Sequence, residues 1–414
     1  MTAGVVVILG VLWGYLGLMH LADRRGLLPD WIRVSGVFVS FRTKRGKRVL
    51  GRLATSKRFW RLWAGSGLVL ALLSLVGTFV GGVWLATHGL TLPGSFEHTA
   101  FSPATPMPLV VPVVFITSTV IHEMGHGVLC KVEDIEITAV GQSFIAFVPT
   151  SAFVEQDGDS REAASYTARM RMFAAGVTNN FALAGLGIVV LIPLVASFTV
   201  VPGVAVGGVV AGSPADQASI ERGDVIVAVD GAAVSGTEEF QSALAASDGQ
   251  TRVTVADGET HVVSPGSSES ASLGVQPYAA GTHLAALRSG SVVDRTAYLL
   301  QAPVVSLTTD AYAFSFVGFD ADFYRTAGPL SGLGTLPFVL ASLAFWTVWV
   351  NVVFAVLNCI PSIPLDGGHL LRASSGVVAE TVGVENVRGF MVVATLAGSL
   401  VTLATFGVGL IGIG

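Results

Sequence analysis

The sequence predicts an α-helical polytopic membrane protein of about six transmembrane helices, with a membrane-associated β-hairpin and one inserted β-rich soluble domain. Three observations predict it. Of 414 residues, 52% are hydrophobic and only 12% are charged, against roughly 25% charged in a soluble domain. Six apolar runs each approach the roughly 20 residues that cross about 30 Å of hydrocarbon. One stretch, 201–277, breaks the apolar pattern, with ten acidic residues against Arg222 and Arg252. The chain has room for one such compact domain.

The expected spans are Gly4–Ala22, Trp63–Thr87, Pro108–Leu129, Met172–Phe198, Leu336–Cys359 and Gly389–Ile413. The first run lacks a basic leader and a small-residue cleavage site, so it is expected to be retained as a span. The segment 23–61 holds twelve Lys and Arg against Asp23 and Asp30. A short loop this positive stays cytoplasmic, which puts the N-terminus outside and 201–277 outside. A nucleic-acid patch is the rival reading of this loop. It is set aside because spans flank the loop on both sides, and no nucleic-acid partner is expected.

Four lysines stand against nineteen arginines, and acidic residues dominate outside the basic loop. A salt-adapted surface and an arginine-preferring genome explain this equally. Cys130 and Cys359 cannot build a disulfide framework and read as small buried hydrophobes.

Segment 131–171 is too polar to span. Ile135–Val140 and Phe144–Val148 are β-formers around Gly141-Gln142, which reads as a hairpin turning there. It could add a strand from an unwound substrate, or be a plain interfacial loop. Val292–Leu307 is amphipathic, is interrupted by Pro303, and reads as lying along the outer membrane surface.

His122-Glu123-Met124-Gly125-His126 closes the third span. Imidazoles at i and i+4 share a helix face and can grip one divalent metal, and the glutamate between them can act as general base. Buried in a span, such groups are costly unless they face a polar cavity. A catalytic metal takes a third protein ligand. The end of the fifth span offers Asn358-Cys359-Ile360-Pro361-Ser362-Ile363-Pro364-Leu365-Asp366-Gly367-Gly368-His369. Pro361 and Pro364 break the helix, so Asp366 can reach inward. His369 is the competing ligand, or a partner that bonds Asp366 from behind. The charge count runs spans three and five in the same direction, bringing both motifs toward one face. At the start of span four, Gly176 permits close helix approach. Asn180 could hold a substrate carbonyl, stabilise an oxyanion, or simply bond a neighbouring helix.

Together, HExxH, G-x-x-x-N and N-x-x-P…L-D-G, in this order, resemble the site-2 protease family of intramembrane zinc metalloproteases, over roughly 108–372. Within it, Gly207–Ala215 and Ile220–Gly231 resemble a PDZ domain of the bacterial protease type. The resemblance implies zinc on His122, His126 and Asp366, Glu123 as general base, and substrate contacts at Asn180 and Asn358, and Gly176 and Pro361 of the same motifs are expected among the substrate-binding residues. It also implies single-span transmembrane substrates already clipped by another protease, and a peptide end at the PDZ-like domain.

The expected organisation begins with the first span and basic loop (1–62) and the second span with an external loop (63–106). Next come the catalytic membrane region (107–200) and the PDZ-like domain (201–277). An interfacial connector (278–334), the span with the proline-rich segment (335–388) and a last span (389–414) complete it. The alternative is a non-proteolytic membrane-anchored PDZ receptor with a vestigial metal site, for which HExxH or the aspartate should be broken. A metal transporter would string its ligands along a path, yet His20, His88 and His98 fall at span ends or outside.

Overall fold

The computed structural model describes residues 2–88, 107–145, 148–247, 249–264, 273–278, 280–308 and 323–411. In chain order the elements begin with α1 (Thr2–Arg24), β1 (Ile32–Ser35), β2 (Phe38–Thr43), α2 (Gly46–Leu53), α3 (Lys57–His88), α4 (Met107–Val132), β3 (Ile137–Ile145), β4 (Val148–Gln156), α5 (Gly158–Ala163) and α6 (Tyr166–Val195). They continue with β5 (Phe198–Val200), β6 (Val204–Val209), α7 (Pro214–Gln217), β7 (Val225–Val229), β8 (Ala232–Ala233), α8 (Thr237–Ala245), β9 (Thr251–Val255), β10 (Thr260–Val263) and β11 (Val275–Pro277). Last come α9 (Ala280–Arg288), α10 (Val292–Thr308), β12 (Tyr324–Thr326), α11 (Leu336–Asn358), α12 (Asp366–Thr381) and α13 (Val387–Ile411).

Among the described residues, α3, α4, α6, α11 and α13 are long and apolar enough to cross a membrane. The sixth expected run, Gly4–Ala22, is covered by α1. Helix α6 begins six residues before the expected span. Its first turn is polar, but Arg169 lies 4.6 Å over the Tyr166 ring and Arg171 reaches Glu133 at 3.4 Å, so those charges are accommodated. Most of the external loop expected within 63–106 lies outside the described residues, as do 309–322 of the expected connector.

The chain divides into two units. One comprises 1–90, 115–183 and 350–414. Its sheet has the order β1-β2-β3-β4, all antiparallel. Two of the four strands come from the basic loop, which the charge count had reduced to a topology signal. Trp31 stacks on Phe41, and Phe41 meets Phe144 edge-on across this sheet. Arg42 and Arg33 both reach Glu155 on β4. Under the sheet, Leu50, Leu129, Ile135, Ile137 and Met172 are fully or nearly fully buried. Lys57 and Arg61, at the start of α3, pair with Asp134 and Glu133 just past the end of α4. Burial of about 93% of the Glu133 side chain between Arg61 and Arg171 fixes the level of these helices. Cys130 and Cys359 are free and buried.

The expected hairpin turn at Gly141-Gln142 is corrected. Both residues lie inside β3, paired with Arg42 and Phe41 on one side and with Phe153 and Ala152 on the other. The glycine serves close approach rather than a turn: a Cβ on Gly141 would strike the Phe41 carbonyl and the Phe153 ring.

The other unit comprises 91–114 and 184–349. Its main sheet has the order β10-β9-β7-β6-β11, with β8 on β7. Val206, Ile220, Ile226, Val229, Phe240 and Val253 form its core. Strands β5 and β12 make a separate pair. Tyr278 sits against Phe323 and His283, and His283 Nδ1 lies 2.5 Å from the Tyr298 hydroxyl, tying α9 to α10. Helix α10 covers the amphipathic stretch expected at Val292–Leu307.

Two outcomes follow. Gly141→Val should destabilise the detergent-solubilised protein by about 1–3 kcal/mol through overpacking, read as a lowered Tm. Burial pushes the His283 imidazole down to about 3, from about 6.5 in an unfolded chain. The unfolded chain therefore takes up a proton first, so the stability from this neutral ring is full above about pH 6.5 and drains as pH falls toward 3. Thermal unfolding at descending pH should show that loss, and His283→Phe should flatten it.

Candidate metal centre

Helix α4 places His122 and His126 one turn apart, with ring centroids at 4.8 Å and Nε2 atoms at 3.1 Å. Asp366 is the first residue of α12, directly after the segment broken by Pro361 and Pro364. Its Oδ2 lies 3.1 Å from His122 Nε2 and 3.1 Å from His126 Nε2. Three potential ligand atoms thus form a triangle of equal sides. All three residues are largely buried.

Although these distances would suit ion pairs, Asp366 Oδ2 is buried and makes no hydrogen bond among the described residues. An orphaned carboxylate oxygen facing two imidazole nitrogens is a poor end state for protein atoms alone. It suits a cation. A tetrahedral zinc with bonds of roughly 2.0–2.1 Å has ligand–ligand edges of about 3.3–3.4 Å, slightly wider than this triangle. Space beside it is kept by Gly176 on α6. A Cβ there would lie 2.5 Å from His126 Nε2 and 2.6 Å from His122 Nε2. Gly176, expected among the substrate contacts, borders the imidazoles.

The far edges of both rings are held. His126 Nδ1 lies 2.8 Å from the Met172 carbonyl, and His122 Nδ1 lies 3.1 Å from the Asn180 amide. Helices α4 and α6 are clamped next door. Asn179 donates to the Ile121 carbonyl at 2.8 Å and accepts from the Trp63 indole at 3.0 Å. Glu123 Oε2 accepts a hydrogen bond from Val154 N of β4 at 3.0 Å. His122, Glu123 and His126 each offer a ligand atom within 4.8 Å of the others.

The remaining expected residues are placed as follows. Asn180 is fully buried, so its amide meets His122 rather than open space. Asn358 donates to the Phe354 carbonyl of its own helix at 3.1 Å. Pro361 is buried with its carbonyl facing Gly398 of α13. His369 stacks on Phe173 at 4.5 Å, nearly parallel, and makes no hydrogen bond to Asp366 among the described residues. Burial, then Arg161, pushes the His369 imidazole below its ordinary range. Sequence reasoning missed Met172, Val154 and Asn179. The first two act through backbone atoms and leave no side-chain signal. The Asn179-Asn180 doublet was visible, but its partners were not.

Comparison with known proteins agrees with this geometry. The description of peptidase family M50 fits the chain over residues 110–402. The chain belongs to peptidase family M50. A provisionally named zinc metalloprotease of Clostridium perfringens is 25% identical over 334 residues, covering 69% of this chain and 96% of the relative. A provisionally named zinc metalloprotease, Rip3, of Mycobacterium tuberculosis is 36% identical over 69 residues, covering 15% of this chain and 17% of the relative. As a member of M50, the chain is a membrane zinc metalloprotease of the site-2 type. The triangle of His122, His126 and Asp366 fits zinc by donor type and spacing.

Removing Asp366 should therefore strip the metal, whereas removing His369 should not. Elemental analysis of purified Asp366→Ala and His369→Ala will show zinc lost in the first and kept in the second; the opposite pattern would transfer the ligand role to His369.

Proposed function

We propose that the chain hydrolyses peptide bonds within or near the transmembrane segment of single-span membrane proteins, usually after another protease has clipped them. The observation that carries this is the depth of the site. His122 and His126 sit well inside α4, a helix apolar enough to span the bilayer, and the third ligand atom comes from beside a second such helix. A soluble substrate would have no reason to meet ligands placed there.

When bound, zinc acts as a Lewis acid that polarises a carbonyl and eases deprotonation of a water. Glu123 takes that proton and returns it to the leaving nitrogen. A transmembrane substrate hides its carbonyls in i→i−4 bonds, so it must unwind before it can react, and weak helix formers near the cut help. Strand β4 supports the next step in this reading. Among the described residues it is the edge strand of its sheet, and Val154 within it already touches Glu123. An opened substrate strand can pair along such an edge.

The remaining parts of the reading rest on charge and resemblance. The basic loop 23–61 is cytoplasmic, while the N-terminus and the PDZ-like segment 201–277 are outside. That segment holds the trimmed end of the substrate or excludes bulky ectodomains. Helix α10 rests on the outer lipid surface.

Glu123→Gln should keep zinc while turnover falls by about 10²–10⁴-fold. A membrane proteome of cells carrying this variant should accumulate single-span fragments. An unchanged fragment population, with the variant inactive on a model peptide, would rule out the substrate class.

A further inference from the structure

We propose that Asn180 is a positioning residue for His122: its amide oxygen accepts a hydrogen bond from His122 Nδ1–H, turning the Nε2 lone pair toward the metal. This rests on the zinc protease reading and goes beyond it, because it moves Asn180 from the substrate to the ligand's far side.

The argument starts from protons. A neutral imidazole carries one, on either nitrogen. A ligating Nε2 must be bare, so the proton belongs on Nδ1 and needs an acceptor. His126 has one in the Met172 carbonyl at 2.8 Å. Among the described residues, no backbone carbonyl does this for His122, and its Nδ1 meets the Asn180 side chain, with Nδ2 at 3.1 Å. In that orientation the amide donates, so the imidazole proton is forced onto Nε2. That N–H would then point into the triangle, where His126 Nε2 and Asp366 Oδ2 each lie 3.1 Å away. The same orientation leaves Asn180 Oδ1 buried with no hydrogen-bond partner. Oxygen and nitrogen of an amide have nearly the same shape, and their assignment follows the bonding network. Exchanging them puts the unused acceptor against the nitrogen that must carry a proton. Asn180 is fully buried on α6, so bulk solvent does not compete for the bond. Asn179 on the adjoining face anchors the same stretch of α6 to the Ile121 carbonyl, one residue before His122. The approach of α6 to α4 and the orientation of the imidazole are thus set together.

Zinc retention against a chelator tests this, measured on purified full-length protein as wild type, Asn180→Leu and Asn180→Asp. Leucine keeps the volume without an acceptor, whereas aspartate accepts and cannot donate. Asn180→Leu should lose about 10- to 100-fold in zinc affinity, and Asn180→Asp should hold zinc at least as tightly as wild type. A purely structural asparagine would not be rescued by aspartate. Wild-type affinity in Asn180→Leu, or equal loss in both variants, would overturn the proposal. Independently of any variant, the ¹⁵N spectrum of histidine-labelled wild type should show His122 protonated at Nδ1; a proton at Nε2 in the zinc-loaded protein would overturn it too. If wild type and His122→Ala hold zinc equally, the metal reading itself fails, a result distinct from failure at Asn180.

Discussion

The structure depends on holding three potential ligand atoms close together in a largely buried place. His122 Nε2, His126 Nε2 and Asp366 Oδ2 sit at mutual distances of 3.1 Å. A buried acceptor without a donor costs about 1–3 kcal/mol, and nothing within the triangle offsets that. The surrounding helices do. Asn179 locks α6 to α4 from one side, and Gly125 lets the Ala175 carbonyl come close enough for the lock to form. The Met172 carbonyl and the Asn180 amide hold the outer ring edges. Each contact restrains the rings from collapsing onto one another.

The Glu123 carboxylate depends on a more distant part of the chain. Glu123 is bonded to Val154, and Val154 pairs with Val140 in β3. Strand β3 in turn pairs with Phe38–Thr43 of the basic loop, and Arg42 of that loop bridges to Glu155 beside Val154. Residues whose charge suggests only a side of the membrane also brace the strand that touches Glu123.

Much of the site was legible because its chemistry is local. Two imidazoles at helical spacing share a face whatever the tertiary structure, and Pro361 and Pro364 announced the break that frees Asp366. The sheet was only half legible. Ile32–Ser35 and Phe38–Thr43 alternate as strands, but strand pairing is a non-local event, and the arginines among them dominated the reading. Gly141 misled for a related reason. A glycine needed for a turn and one needed for a close neighbour look alike until the neighbour, here Phe153, is in place. Asn180 shows the limit most clearly. Its residue type said that it bonds something, and only the rotation of α6 says what.

Gly176 carries a last consequence. Any Cβ at this position meets His126 Nε2 and His122 Nε2 at 2.5–2.6 Å. Every single-base missense change in a glycine codon creates a residue with a Cβ. No missense step away from this glycine therefore avoids crowding the two imidazoles, and only a synonymous change leaves that space open.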